Sequence, residues 1–171
     1  ILLGFGFKIG MVPFHMWVPD IYEGAPTPVT AFLAIGSKTA GFALLLRVFI
    51  GAFAGMKPYW VPLVEILAIL TMFLGNLVAI SQTNIKRLLA YSSIAHGGYI
   101  LVGVITLSRM GISAVLFYLL AYTFTSLCAF TAVIAFSTAT GSDEIRDYAG
   151  LHKRAPGLAL AFSISLLSLA G

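Results

Sequence analysis

Apolar residues fill this chain in six long blocks, and polar residues gather between them. The first block, Ile1 to about Trp17, is interrupted by Gly4, Gly6, Gly10 and Pro13. Proline removes an N–H and clashes with the carbonyl four residues back, so a broken helix is predicted rather than a straight one. A polar turn is expected over Val18–Ala25. The second block starts at Thr27-Pro28, read as an N-cap followed by proline, and runs to about Ala54. After a loop over Gly55–Pro62 with Lys57, Tyr59 and Trp60, the third block spans Leu63–Ile80, with Glu65 near its start. Ser81 to Asn84 make a turn, and Lys86-Arg87 open a fourth block that ends near Leu107. The fifth covers about Ser113–Thr138. A charged loop over 139–157 leads to a sixth block beginning at Leu158.

Each of the first five blocks is about the length needed to cross roughly 30 Å of hydrocarbon. The predicted fold is therefore an all-α, polytopic membrane helix bundle. It has five spanning helical segments, the first broken near Lys8–Pro13, and a truncated sixth. Composition strengthens that reading: of 171 residues 60% are hydrophobic and 9% are charged, where soluble domains carry about 25% charged. A net charge of +4 in a soluble chain would suggest nucleic acid; here Lys and Arg sit mostly in loops and at helix ends, as the positive-inside rule describes. The lone Cys128 supplies neither a disulfide framework nor a metal site. The chain opens at Ile1 and closes at Gly171 inside an apolar run, and is expected to be an internal fragment of a longer protein, all of residues 1–171 forming one transmembrane domain.

Two amines sit where lipid-compatible sequence gives them no obvious place. Lys8 adjoins the helix break, and freed backbone groups at membrane depth survive only inside protein or beside a wet cavity. Lys8 is therefore expected to point towards other helices. Lys38 lies ten residues past Pro28, about 15 Å along a helix axis and so near the bilayer midplane. Gly36, Ser37, Ala40 and Gly41 offer close helix packing around it. A lysine at that depth costs about 2.5–3.5 kcal/mol on insertion scales. Low dielectric penalises its charged form, so a nearby carboxylate or water chain can load or unload the amine. Ser92, His96 and Tyr99 are spaced four and three apart and are expected to share one inward face. Tyr118, Tyr122, Thr125 and Ser126 repeat the pattern in the fifth block, and His15 approaches the interface after Pro13. Structural alternatives stay open: Lys8 as a cap for freed carbonyls, His15 and His96 as hydrogen-bonded packing residues, the tyrosine stripe as helix–helix glue, and the Asp20–Glu23 turn as solvated surface.

Several stretches carry a resemblance: FKIGMVPFHMWVPDIYEGAPTPV, GSK, GNLVAISQTNIKRLLAYSSIAHGGYILVG, DYAGL and SLLSLAG. In order along essentially all 171 residues, the chain resembles the antiporter-like, proton-conducting membrane subunits of respiratory complex I. The nearest branch is that of bacterial subunit N and its cyanobacterial and plastid counterpart. The resemblance implies the seventh helix through the start of the twelfth, in a protein of about fourteen helices. It implies that Lys8 and Lys38 belong to a row of ionisable groups through which protons cross, with His15 and His96 as further relay candidates. The family's fifth-helix glutamate and twelfth-helix charged residue fall outside this sequence. The function implied is that of a non-redox, proton-translocating subunit of NADH:quinone oxidoreductase. NADH, flavin, iron–sulfur clusters and quinone are expected in partner subunits, none bound by this chain, and other membrane subunits and the bilayer are the expected partners. A multi-subunit cation/proton antiporter and a passive membrane scaffold are the alternatives.

Lys and Arg counts give a weak orientation. The turns after the first, third and fifth blocks hold Lys86, Arg87, Arg146, Lys153 and Arg154, against Lys57, Arg109 and nearby Arg47 on the other side. This places the Asp20–Glu23 turn, Lys86–Arg87 and the 139–157 loop on the cytoplasmic side of a bacterial inner membrane, or the equivalent side of a thylakoid.

Overall fold

A computed structural model describes residues 1–170, and among these the chain is all-helical with no strand. Four helices are long and apolar enough to cross a membrane: Thr27–Gly51, Ala54–Ile80, Ile85–Thr106 and Arg109–Thr140. The last residue of the SLLSLAG stretch, Gly171, lies outside the described residues.

The first block is broken as its sequence implies. Helix α1 (Leu2–Ile9) stops at Gly10, whose φ of 75° is left-handed and so suits glycine. The Gly10 amide donates to the Phe7 carbonyl at 3.2 Å and the Met11 amide to the Gly6 carbonyl at 2.9 Å. Together these make a Schellman ending. An irregular stretch containing the cis Val12–Pro13 bond follows.

Where a turn was expected over Val18–Ala25, the chain is helical: α2 spans Trp17–Gly24 and carries Asp20 and Glu23. Proline at position 19 is compatible because the first-turn N–H groups of a helix have no internal acceptor, and Asp20 in that turn suits the positive end of the dipole. The block is thus two half-helices joined by an irregular segment.

Helices α3 (Thr27–Phe32) and α4 (Lys38–Gly51) form one continuous rod through a π-helical turn, Leu33–Ser37. Thr27 is the first helical residue, not the cap. A short 3-10 turn, Ala54–Met56, leads into α5 (Lys57–Ile80), which starts six residues before the expected Leu63. Pro58 in its first turn costs no hydrogen bond, so the Tyr59-Trp60 stretch is helical rather than looped. Glu65 consequently lies two turns inside α5, and it is exposed.

Helix α6 (Ile85–Thr106) is capped by Asn84, whose side chain accepts from the amides of Lys86 and Arg87. Helix α7 (Arg109–Thr140) extends beyond both expected ends. Its 32 residues reach about 48 Å, more than the hydrocarbon core requires. The 139–157 connection holds a 3-10 turn, Ile145–Tyr148, and a short helix α8 (Leu151–Arg154) before α9 (Pro156–Ala170).

Helix α6 sits at the centre. It contributes Ile100, Leu101 and Val104 to one buried cluster with α1, α4, α5 and the start of α7. It contributes Ile85, Leu89, Ala90 and Ile94 to a second with α2, α3, α7 and α9. Gly75 of α5 lies directly against the backbone of Ala95, a small-residue approach typical of membrane helices. The outer face of α5 instead displays Ile66, Ile69, Phe73, Leu77 and Ile80, an apolar surface suited to lipid or neighbouring helices.

Charge gathers at one end. Arg87 Nη1 pairs with Asp20 at 2.9 Å and Glu23 at 2.7 Å, while Lys86 Nζ pairs with Asp143 at 3.1 Å. The Asn84–Glu144 bridge ties the start of α6 to the 139–150 connection. The three polar turns expected on one side of the membrane therefore do meet. Lys57 and Arg109 lie at the opposite ends of their helices, where Lys57 Nζ reaches the Thr106 carbonyl at 3.4 Å.

Candidate functional site

The site is built where the broken first block, the α3–α4 rod, α6 and α7 converge on Lys38. Lys38 is the first residue after the π turn, and it is only 5% exposed. π turns insert an extra residue and locally re-aim side chains, commonly at functional positions. Here the Lys38 amine is directed at α6, donating to both the carbonyl and the hydroxyl of Ser93. On its other side the amine lies 5.9 Å from the ring centre of Tyr122, within cation–π range. Ser93 is itself flanked by Tyr22 of α2 and Tyr122 of α7. Among the described residues no carboxylate reaches Lys38: every partner is neutral.

His96 lies one helical turn further along α6. Its Nδ1 is 2.6 Å from the Tyr118 hydroxyl and its Nε2 is 3.1 Å from the Leu169 carbonyl. A carbonyl can only accept, so Nε2 carries the proton and Nδ1 accepts from Tyr118. The ring also packs 5.0 Å from that of Tyr122. Lys38, Ser93, Tyr122, His96 and Tyr118 thus form one connected buried patch.

The expected stripe of Ser92, His96 and Tyr99 divides. His96 faces inward, whereas Tyr99 is exposed at 37% and accepts from Asn76 Nδ2 at 2.7 Å. Ser92 is half-buried beside α5 and α9. The true inward row is Ser93, His96 and Gly97, rotated by one residue, because α6 is packed on several sides and a polar pattern alone does not choose between adjacent faces.

Lys8 lies apart from this patch, against α4. It is exposed among the described residues and lies on an open cavity of about 400 Å³ lined by Gly4, Phe5, Ala40, Gly41 and Leu44. Its side chain passes beside Gly41 of α4. It is not joined to the Lys38 patch. His15 is buried at 5%, and its Nδ1 has no hydrogen-bond partner among the described residues. In the fifth block Tyr118, Tyr122 and Ser126 face inward as expected, while Thr125 turns towards α9, 3.3 Å from Ser168.

The backbone freed by the break finds partners that the sequence pattern did not single out. Val12 donates its amide to the Thr71 hydroxyl at 3.0 Å, deep in the bundle, and Thr71 in turn donates to Leu67. Trp17 Nε1 donates to the Phe7 carbonyl at 2.9 Å. Among the described residues no group of three or more His, Cys, Asp or Glu is placed to hold a metal ion.

The chain as a whole has relatives of known family and structure. The chain is 60% identical over its whole length to the NADH-quinone oxidoreductase subunit N of Desulforamulus reducens, 36% of which it covers. It therefore spans about a third of the length of the curated relatives it matches. Among solved structures, 98% of it superposes on 36% of a chain of respiratory complex I from Thermus thermophilus, with TM-score 0.78 and 39% identity. It also matches the Mrp complex from Dietzia sp. DQ12-45-1b, with TM-score 0.93 and 29% identity over 99% of this chain and 32% of that one. All of residues 1–171 match the family described as NADH:quinone oxidoreductase/Mrp antiporter, TM, and the chain belongs to that family.

Proposed function

We propose that the chain is the central portion of a proton-translocating membrane subunit of NADH:quinone oxidoreductase, in which Lys38 takes up and releases protons during turnover. The observation that carries this reading is Lys38 itself, a buried mid-span amine held only by neutral groups. A buried ammonium fixed by a carboxylate would be pinned in its charged form; one held by hydroxyls and a carbonyl responds to charges placed or removed elsewhere. The identity to subunit N supports the assignment to complex I rather than to another member of the family.

Lys8 belongs to the same relay in this reading, with its open cavity facing helices of the longer subunit. His96 links the patch to α9, and His15 lies at the break. The two half-helices and four long helices correspond to five membrane crossings, with α9 beginning a sixth, in one domain of a subunit of about fourteen helices. NADH, flavin, iron–sulfur clusters and quinone are bound by partner subunits, and the end carrying Arg87 and Asp143 faces the cytoplasm.

The test uses the full-length subunit in its assembled complex, reconstituted in vesicles. Lys38→Ala and Lys8→Ala should each lower protons moved per quinone reduced. If both variants pump normally, the relay reading is wrong. A second reading, a subunit of a cation/proton antiporter, is favoured by the closer superposition on the Mrp complex. It predicts that Lys38→Ala abolishes sodium-dependent proton exchange in the parent complex, which the first reading does not require.

A further inference from the structure

We propose that the elbow between α8 and α9 binds an anionic phospholipid, whose phosphate sits against His152 and Lys153 while an acyl chain lies along the outer face of α9. The inference does not rest on the relay reading above.

An open cavity of about 270 Å³ lies at this elbow. Tyr148, Gly150 and His152 line it from the connection, and Ala159, Phe162 and Ser163 line it from α9. The connection is tied to the start of α6 through Glu144, so the elbow belongs to the charged end of the bundle. Ser163 is seven residues past Pro156, where α9 begins, and the lining therefore reaches about 10 Å down the helix axis. The headgroup layer is roughly 5–8 Å thick on each side of a bilayer. The cavity thus extends from headgroup level to the edge of the hydrocarbon, with His152 and loop backbone at its outer end and Ala159 and Phe162 further in. A phospholipid has the same gradation, from phosphate through glycerol to acyl chain.

Charge favours an anion. Helix α8 ends in His152, Lys153 and Arg154, all exposed, and between Asp147 and Gly171 the chain carries no acidic residue. Lys153 has no ion-pair partner among the described residues. Asp147 is engaged by the Ser142 hydroxyl at 2.5 Å and lies 3.8 Å from Arg146. Basic groups beside a pocket at the end of a spanning helix attract anionic headgroups.

Arg154 has a different part. Its Nη2 donates to the carbonyls of Asp147 and Ala149 at 2.7 and 2.9 Å, gripping the backbone on both sides of Tyr148. The Tyr148 ring stacks on Phe136 with centres 3.8 Å apart and packs 5.4 Å from Phe162. This wall is fixed before any ligand arrives, which lowers the ordering cost of binding. The Tyr148 hydroxyl is buried without a partner among the described residues and remains an unused donor.

Leu160, Ile164 and Leu167 are exposed and spaced four and three residues apart, so they form one apolar stripe. It adjoins Ala159 and Ser163 around the helix, and an acyl chain leaving the cavity meets it directly. A free phosphate would use the basic rim and leave the stripe uncovered, which is why the occupant is a lipid.

The test uses the full-length subunit in its assembled complex, in nanodiscs containing photoactivatable phosphatidylglycerol or phosphatidylcholine with the reactive group on the acyl chain. Labelled peptides are mapped by mass spectrometry. Label over residues 148–167 should be stronger from the anionic lipid. Lys153→Gln should lower it about fivefold, the scale of one cation at an anionic surface, and Ala159→Trp, which fills the cavity, should lower it as well. Equal labelling by the two lipids, or none in this stretch, overturns the proposal. An unchanged label in Lys153→Gln overturns the placing of the phosphate, and an unchanged label in Ala159→Trp overturns that of the cavity. Loss of the label on adding inorganic phosphate alone also refutes the lipid, since the rim would then be a site for the free anion. Should neither variant assemble, the two lipids compared on the wild-type complex decide. Proton pumping is not the readout, so the site and the relay stand or fall separately.

Discussion

Thr71 is the residue on which the break in the first helix depends most directly, and Thr71→Val tests that dependence. Valine has the shape of threonine but no hydroxyl, so the substitution leaves no cavity at a position that is 0% exposed. What it removes is the acceptor for the Val12 amide, a buried bond of 3.0 Å. The Thr71 hydroxyl also donates to the Leu67 carbonyl, but that oxygen keeps its helical N–H partner, so its loss is minor. The cost is then that of one buried, unsatisfied N–H, about 1–3 kcal/mol. If the segment opens locally to solvate that amide, opening becomes easier by the same amount. At 1.36 kcal/mol per factor of ten, amide hydrogen exchange over residues 10–16 should speed up by about 5- to 150-fold. Exchange with mass-spectrometric readout on the intact complex in nanodiscs measures this. Thr71→Ser is the control: it keeps the acceptor and deletes only a methyl, so its exchange at Val12 should stay at the wild-type rate. If Thr71→Val also exchanges at the wild-type rate, the Val12 amide does not rely on Thr71, and the account of how the break is stabilised fails.

Two further predictions concern packing and charge. Gly75→Ala would bring its Cβ to 2.7 Å from the backbone nitrogen of Ala95, so α5 and α6 must separate. A loss of about 1–3 kcal/mol is expected in thermal or denaturant unfolding of the complex, whereas Gly4→Ala, which meets nothing within 4 Å, should be neutral or slightly stabilising. At the charged end, Lys86→Ala should destabilise more than Arg87→Ala: the Lys86 side chain is 9% exposed against 30% for Arg87, and its loss strands a partly buried Asp143. The Arg87 pairs should contribute about 0.2–1 kcal/mol each and fade with salt; comparing both variants in low and high salt checks the order.

The large pattern of the fold could be read directly from the chain. Blocks of apolar residues set the long helices, and Gly10 and Pro13 mark a break that follows from backbone chemistry alone. Boundaries at prolines were harder. Pro19, Pro28 and Pro58 looked like markers of turns and caps, yet each lies in the first turn of a helix, where a missing N–H costs nothing. Lys38 was evident because a mid-span amine is anomalous wherever it occurs. Its partners were not. A serine doublet offers Ser92 and Ser93 equally, and only the packing of α6 selects Ser93. Thr71 and Tyr22 carried no signal of their own, since each matters through a residue 59 or 71 positions away in sequence. Lys8 shows the opposite limit: the break beside it was predictable, but the cavity it lines is completed by Ala40, Gly41 and Leu44 on another helix.

The arrangement around Lys38 shows how a bundle of helices accommodates an amine without a counter-charge. An amine in hydrocarbon needs acceptors, and an intact helix offers almost none, because its carbonyls are already bonded along the chain. Ser93 meets part of the need, with its hydroxyl and with a carbonyl that accepts a second donor. The face of Tyr122, 5.9 Å from the amine, adds a further attraction without adding a charge. A glutamate in the same place would bind the ammonium more tightly, and would hold it charged through the whole cycle. Dipoles and a ring face attract less strongly than a full charge, so they support the amine without fixing its proton. A charge placed or removed on a neighbouring helix can then shift that proton, which is the condition for Lys38 to act as a relay rather than as a permanent ion pair.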